Sequence, residues 1–258
     1  MILKYNNTEI HFNTFGSGPA IVLLHGFLES STMWKNLITQ LSKQNTVITL
    51  DFPGHGKSEV ISDIHSMELM AEVVDEILKT LKITSATFIG HSMGGYIALA
   101  YVEKFPSKVE KLVLLNSSPA PDSEERKINR NRALKVIEQN AYAFISMAIS
   151  NLFSETTRDK IASDIEDLKN EAQSFPLDGI KAAIKGMRDR IDRSDVLKNY
   201  SKEKYMILSK EDSLLPVDEN IALAKSYDAL SIIIEGGHMS TVENLDEVLD
   251  ALKNILNI

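Results

Sequence analysis

Thr87-Phe88-Ile89-Gly90-His91-Ser92-Met93-Gly94-Gly95-Tyr96-Ile97-Ala98-Leu99 is a short β-prone apolar run, a G-x-S-x-G turn and a stretch of helical composition in direct succession. A serine hydroxyl is a useful nucleophile only when held exposed beside a base and beside donors for the oxyanion it creates. A sharp strand-to-helix elbow supplies the exposure, with Oγ pointing away from the sheet. Gly90 and Gly94 suit such a turn because a Cβ two residues either side of Ser92 would strike neighbouring backbone. The Met93 N–H, at the start of the following helix, points toward developing negative charge. The competing reading is a Gly-rich turn that happens to carry a serine.

Outward from this elbow, strand and helix signals alternate. Ile2 to Tyr5 and Glu9 to Phe15 read as edge strands joined by a turn at Asn6-Asn7. Ala20 to Leu24 is a continuous apolar run suited to a strand buried on both faces, and Thr46 to Leu50 is the next strand. Met33, Trp34, Leu37, Ile38 and Leu41 recur at helical spacing, as do Met70, Val73, Val74, Ile77, Leu78 and Leu81. Lys111 to Leu115 is another buried strand, after which no strand signal occurs from Pro119 to Tyr200. Tyr205 to Leu208 and Leu230 to Ile234 restore the alternation, and the last helix carries Val242, Leu245, Val248, Leu249, Leu252, Ile255 and Leu256 on one face. The pattern predicts an α/β fold, a mostly parallel doubly wound sheet built from 1–118 and 201–258, with an all-helical cap inserted at 119–200. In open sheets of this kind the ligand site lies at the carboxyl ends of the strands. The loops at His25, Asp51, Ser92, Asp212 and His238 all leave such ends.

The 258 residues are enough for one large core. A net charge of −8 without a dense Lys/Arg run argues against a nucleic-acid partner. The absence of cysteine excludes disulfides, thiolate metal sites and a cysteine nucleophile. There is no HExxH motif and no pair of histidines at ligand spacing, so neither metal nor organic cofactor is expected. The first residues lack the apolar core of a signal peptide, and no run approaches the ~18 apolar residues of a membrane span. The expectation is a cytoplasmic protein acting on a small molecule.

A serine nucleophile needs a base and a group that orients it. Of the six histidines, His91 adjoins Ser92 and its side chain leaves in another direction. His25 and His55 lie in Gly-rich loops and read as structural, while His11 and His65 have polar neighbours and read as surface residues. His238, in Glu235-Gly236-Gly237-His238-Met239, follows the last strand in a flexible turn from which an imidazole can reach Ser92. The orienting acid should follow the strand at 205–209, where the candidates are Glu211, Asp212 and Asp218. A short carboxylate before a turn closed by Pro216 favours Asp212, with Glu211 as the fallback.

The chain resembles α/β-hydrolase-fold enzymes with a helical cap, of the Ser-Asp-His esterase and lipase kind. The matching pieces are Leu24-His25-Gly26-Phe27, Asp51 to Ser58, Gly90-His91-Ser92-Met93-Gly94-Gly95, Asp212 to Pro216 and Gly236-Gly237-His238, in the family's order. The resemblance implies Ser92 as nucleophile, His238 as base, Asp212 as orienting acid and an oxyanion hole from the Phe27 and Met93 N–H groups. Ser209 departs from the pattern, since many members carry glycine there. The chemistry implied is hydrolysis of a small carboxylic ester through an acyl-enzyme. Carbon–carbon bond hydrolases, the lyase of menaquinone synthesis and perhydrolases use the same triad. The first often carry Trp where this chain has Met239, and the second expects Arg where it has Tyr96. A non-catalytic ligand-binding role is the remaining alternative. Leu28, Tyr142, Phe144, Met147, Leu214 and Met239 are the candidate residues of an apolar substrate pocket. Arg188, Arg190 and Arg193 would meet an acidic substrate or, more commonly for such residues, sit in surface salt bridges.

Overall fold

The computed structural model describes residues 1–258. In chain order the strands are β1 (Ile2–Tyr5), β2 (Thr8–Phe15), β3 (Ala20–Leu24), β4 (Thr46–Leu50), β5 (Ala86–His91), β6 (Val109–Leu115), β7 (Glu203–Ser209) and β8 (Leu230–Ile234). The helices are α1 (Lys35–Leu41), α2 (Met67–Thr80), α3 (Met93–Lys104), α4 (Glu124–Ser150), α5 (Ala162–Gln173), α6 (Leu177–Arg188), α7 (Ser194–Asn199), α8 (Val217–Ser226), α9 (Ser240–Glu243) and α10 (Leu245–Leu256). The strands form one sheet in the order β1-β2-β4-β3-β5-β6-β7-β8, antiparallel at β1-β2 and β2-β4 and parallel elsewhere. Asn6 and Asn7 both have positive φ, the geometry of a two-residue hairpin turn that joins β1 to β2. No helix is long and apolar enough to cross a membrane.

Alternation along the central strands sends side chains to two cores. Val22 and Leu24 face a cluster shared with α2 and α3, whereas Ile21 and Leu23 face Trp34, Leu37 and the apolar stripe of α10. Leu24 is level with Gly90 and His91 with Leu115, so the loops that begin at His25, Ser92 and Asn116 leave the sheet side by side. Between β6 and β7 the chain is helical without a strand. Helices α4 to α6 bury a third cluster, with Ile145, Ile149, Phe175 and Ile180, to which the strand-end loops add Leu28 and Met239. That shared cluster seats these helices over the carboxyl ends of the sheet.

The loop after β4 is held from within. The Asp51 carboxylate accepts the Ser31 and Lys57 N–H groups, and Ser58 Oγ donates to the Asp51 carbonyl. It is also pressed against α6: a Cβ on Gly54 would lie 2.4 Å from Gly179 Cα, and one on Gly186 would lie 1.8 Å from the His65 carbonyl oxygen. His65 is therefore not the surface residue expected from its polar neighbours. It is fully buried, as is His55, because α6 closes over both.

Burial, joined for His55 by the nearby His25, lowers the pKa of His55 to about 3, and burial lowers that of His65 to about 4. Unfolded, both titrate near ~6.5. Below that value the unfolded chain binds protons that the fold refuses, so stability falls with pH, by about 2 kcal/mol for each histidine at about pH 5. Asp75, Asp122 and Asp212, whose pKa values the fold lowers, begin to cost stability only below about pH 4. Thermal melts of His65→Gln should therefore decline less steeply than wild type between about pH 6.5 and 5. Equal slopes would contradict this account.

Candidate active site

The elbow follows from local sterics. Ser92 sits at φ 50°, ψ −116°, between the last residue of β5 and the first of α3. A non-glycine residue so placed costs on the order of 1–3 kcal/mol and persists only where its surroundings fix it. Here the Ser92 N–H donates to the Leu115 carbonyl at 3.0 Å, and the Ser92 carbonyl accepts Ser117 Oγ at 2.7 Å. A Cβ on Gly94 would lie 2.1 Å from the Leu24 carbonyl oxygen, and one on Gly90 would lie 2.4 Å from the Gly94 oxygen. Helix α3 thus comes against β3 only because those two side chains are absent. Met93 opens α3, so its N–H is one of the helix's orphan donors. The Phe27 N–H makes no hydrogen bond within the fold.

His238 Nδ1–H donates to Asp212 Oδ2 at 2.7 Å, across two nearly inaccessible side chains. The Asp212 carboxylate accepts three more donors: Asn116 Nδ2 at 3.0 Å on Oδ2, and the Leu214 and Leu215 N–H groups at 2.8 and 3.1 Å on Oδ1. Burial pushes its pKa up, but the His238 ring and these donors outweigh burial and hold the carboxyl below its ordinary range. Of the other acids in this loop, Glu211 is exposed and takes Thr156 Oγ1, and Asp218 is exposed at the start of α8. Ser209, in place of a glycine, accepts Asn116 Nδ2 at 2.8 Å, and Asn116 Oδ1 takes Ser240 Oγ at 2.8 Å. Asn116 is a residue that sequence reasoning missed. Its only signal is a polar side chain directly after the apolar β6.

The base loop is clamped rather than flexible. The His238 N–H donates to the Leu152 carbonyl at 2.9 Å, and its carbonyl accepts His91 Nε2–H at 2.9 Å. The His91 ring does leave away from the elbow: Nδ1 meets buried Glu29 Oε2 at 3.0 Å, which also takes the Gly26 N–H at 2.7 Å. Burial lowers the His91 pKa, but Glu29 raises it more, so the net shift is upward; Glu29 is correspondingly lowered. Both His91 ring nitrogens thus face acceptors beneath the base loop, Glu29 on one side and the His238 carbonyl on the other. His25 is satisfied by backbone, with Nδ1 on the Gly26 carbonyl and Nε2 on the Phe52 N–H. His238 Nε2 is buried with no hydrogen-bond partner, Ser92 Oγ included.

Ser92 and His238 line one cavity of about 340 Å³, together with Phe27, Leu28, Tyr96, Leu152, Met187, Leu214 and Leu215. Of the six expected pocket residues, Leu28 and Leu214 are there. Phe144 and Met239 pack instead in the cluster beneath α4. Tyr142 and Met147 are 63% and 56% exposed, a correction that comes from helix phase: Phe144, Ile145, Ala148 and Ile149 take the inward face, leaving 142 and 147 outside. Of the three arginines, one sits in the expected surface salt bridge and two are buried in ion pairs. Arg188 pairs with Asp189 on the surface, Arg193 is buried between Glu68 and Glu103, and Arg190 is buried on Asp122 with its guanidinium over Tyr96. The cavity instead takes Arg126, Asn129, Arg130 and Ala133 from α4, a set at i, i+3, i+4 and i+7. No group of three His, Asp or Glu side chains is placed to hold a metal ion.

A family model for the alpha/beta hydrolase fold matches residues 19–146. A thermophilic esterase from Thermogutta terrifontis, solved with malate bound, is 30% identical; the alignment covers 97% of this chain and 93% of that one, with a TM-score of 0.92. A pimeloyl-[acyl-carrier protein] methyl ester esterase from Pseudoalteromonas atlantica is 26% identical over 97% of this chain and 99% of its own length. An uncharacterized protein of Mycobacterium tuberculosis is 37% identical over 106 residues, which span 41% of this chain and 31% of that protein.

Proposed function

Because this chain belongs to the alpha/beta hydrolase fold family, we propose that it is a serine hydrolase that cleaves a small carboxylic ester through an acyl-enzyme. One observation carries the reading. Asp212 holds His238 by Nδ1, leaving Nε2 buried, unpartnered and on the same cavity as Ser92. That is the tautomer a base needs, with the lone pair on the nitrogen nearer the reaction. Hydrogen bonds of this kind are commonly long in an unliganded site and tighten around substrate.

In this scheme Ser92 Oγ attacks the ester carbonyl as His238 Nε2 takes its proton. The Phe27 and Met93 N–H groups, neither bound to a backbone carbonyl of its own turn, hold the oxyanion. Collapse expels the alcohol, protonated from Nε2, and water repeats the sequence on the acyl-enzyme. Residues 119–200 serve as the cap over a core of 1–118 and 201–258. The Leu152 carbonyl on the His238 N–H makes this cap part of the frame that holds the base. The names of the full-length esterase relatives favour ester cleavage.

A fluorophosphonate probe tests the assignment. It should label the protein once, on the peptide containing Ser92, and abolish hydrolysis of p-nitrophenyl butyrate. Labelling at another residue, or none alongside undiminished hydrolysis, would overturn it.

A further inference from the structure

Helix α4 is kinked at Asn140, whose φ of −156° and ψ of 83° leave the helical region. The cavity lining differs on the two sides of this kink. Past it, Ala148 and, beyond the helix end, Leu152 are apolar; before it, Arg126 and Arg130 line the same space as Ser92. Arg130 Nε lies 2.6 Å from Asp122, but that buried carboxylate also binds Arg190 at 2.5 Å, so two guanidinium groups share one acid. Arg126 meets no carboxylate; its one partner is the Leu214 carbonyl. Glu29, the acid on the cavity wall, is committed to His91. Asp212 lies behind His238, its oxygens taken by four donors. A chain of net charge −8 therefore keeps cationic and apolar side chains together on the cavity that holds its serine.

We propose that Arg126 and Arg130 form an anion subsite, and that the substrate is a small ester carrying an ionised carboxylate on one arm, separated from the scissile carbonyl by an apolar stretch. The proposal rests on the ester-hydrolase reading and names its substrate class. Planar guanidinium groups suit a carboxylate because they donate two parallel hydrogen bonds. The apolar stretch would lie along Leu28, Leu152 and Met187.

Binding to Ser92→Ala, which needs no turnover, provides the test. Calorimetry with monomethyl adipate and with uncharged methyl hexanoate should show the hemiester bound about tenfold more tightly. In Ser92→Ala/Arg126→Gln that ratio should fall toward one, Arg126→Lys should retain part of it, and added NaCl should erode it. Carboxymethyl butyrate, with its charge on the alcohol arm, tells which arm the subsite reads; tighter binding of either charged ester supports the proposal. Equal affinities for charged and uncharged esters overturn it, as does a preference unchanged by Arg126→Gln. Failure of the fluorophosphonate to label wild type would overturn the hydrolase reading instead, and leaves these affinities to be read on their own.

Discussion

Ser92→Ala should lower kcat for ester hydrolysis by about 10⁴-fold or more while leaving the fold intact. The structural half of that expectation is as strong as the chemical half. Every hydrogen bond that fixes the elbow uses the Ser92 backbone: the N–H on Leu115, the carbonyl under Ser117 Oγ, and the same carbonyl on the Gly95 N–H at 2.9 Å. Removing Oγ breaks none of them, and alanine adopts the positive φ at no greater cost than serine. The melting temperature should therefore stay within about 2 °C of wild type. Residual turnover should reflect the oxyanion donors and binding alone, which in triad enzymes retain roughly 10³–10⁴ over water. A loss smaller than tenfold, with a normal melt, would remove Ser92 from the chemistry.

Asp212→Asn should cost about 10⁴ in kcat, for a reason visible in its hydrogen bonds. All four groups around the carboxylate are donors: His238 Nδ1–H and Asn116 Nδ2 on one oxygen, the Leu214 and Leu215 N–H groups on the other. An amide offers one oxygen and one NH₂, so whichever way the substituted side chain turns, a buried NH₂ faces donors. The least costly relief is for His238 to move its proton to Nε2 and accept from the amide through Nδ1. That tautomer cannot deprotonate Ser92. A stability loss of about 1–3 kcal/mol should accompany the change, from whichever donor is left unmet. Asn116→Leu separates the two effects, since it removes one donor to Oδ2 and leaves the His238 tautomer unaltered. Its kcat should fall far less than that of Asp212→Asn. If Asp212→Asn keeps kcat within tenfold, the carboxylate is not orienting the base.

The elbow, the strand–helix rhythm and the order Ser92, Asp212, His238 were legible in the chain alone because each depends on near neighbours. A missing Cβ at Gly90 or Gly94, a period of 2 or 3.6, and a loop at a strand's carboxyl end are all local properties. The cavity walls were not. Tyr142 and Met147 are as apolar as Ala148 and Leu152, and only the packing of α4 on α5 and α6 determined which pair turned outward. His65 looked exposed by its neighbours and is buried because Gly186 admits its carbonyl from 121 residues away in sequence. Asn116 reaches partners at 209, 212 and 240, and His91 reaches the carbonyl of 238. What the sequence determined by itself was which candidate residues stand at the strand ends, because local backbone geometry places them there. What the tertiary structure alone decided was their partners, the wall they share and the charge it carries, because those contacts form between segments whose spacing along the chain contains no trace of their meeting.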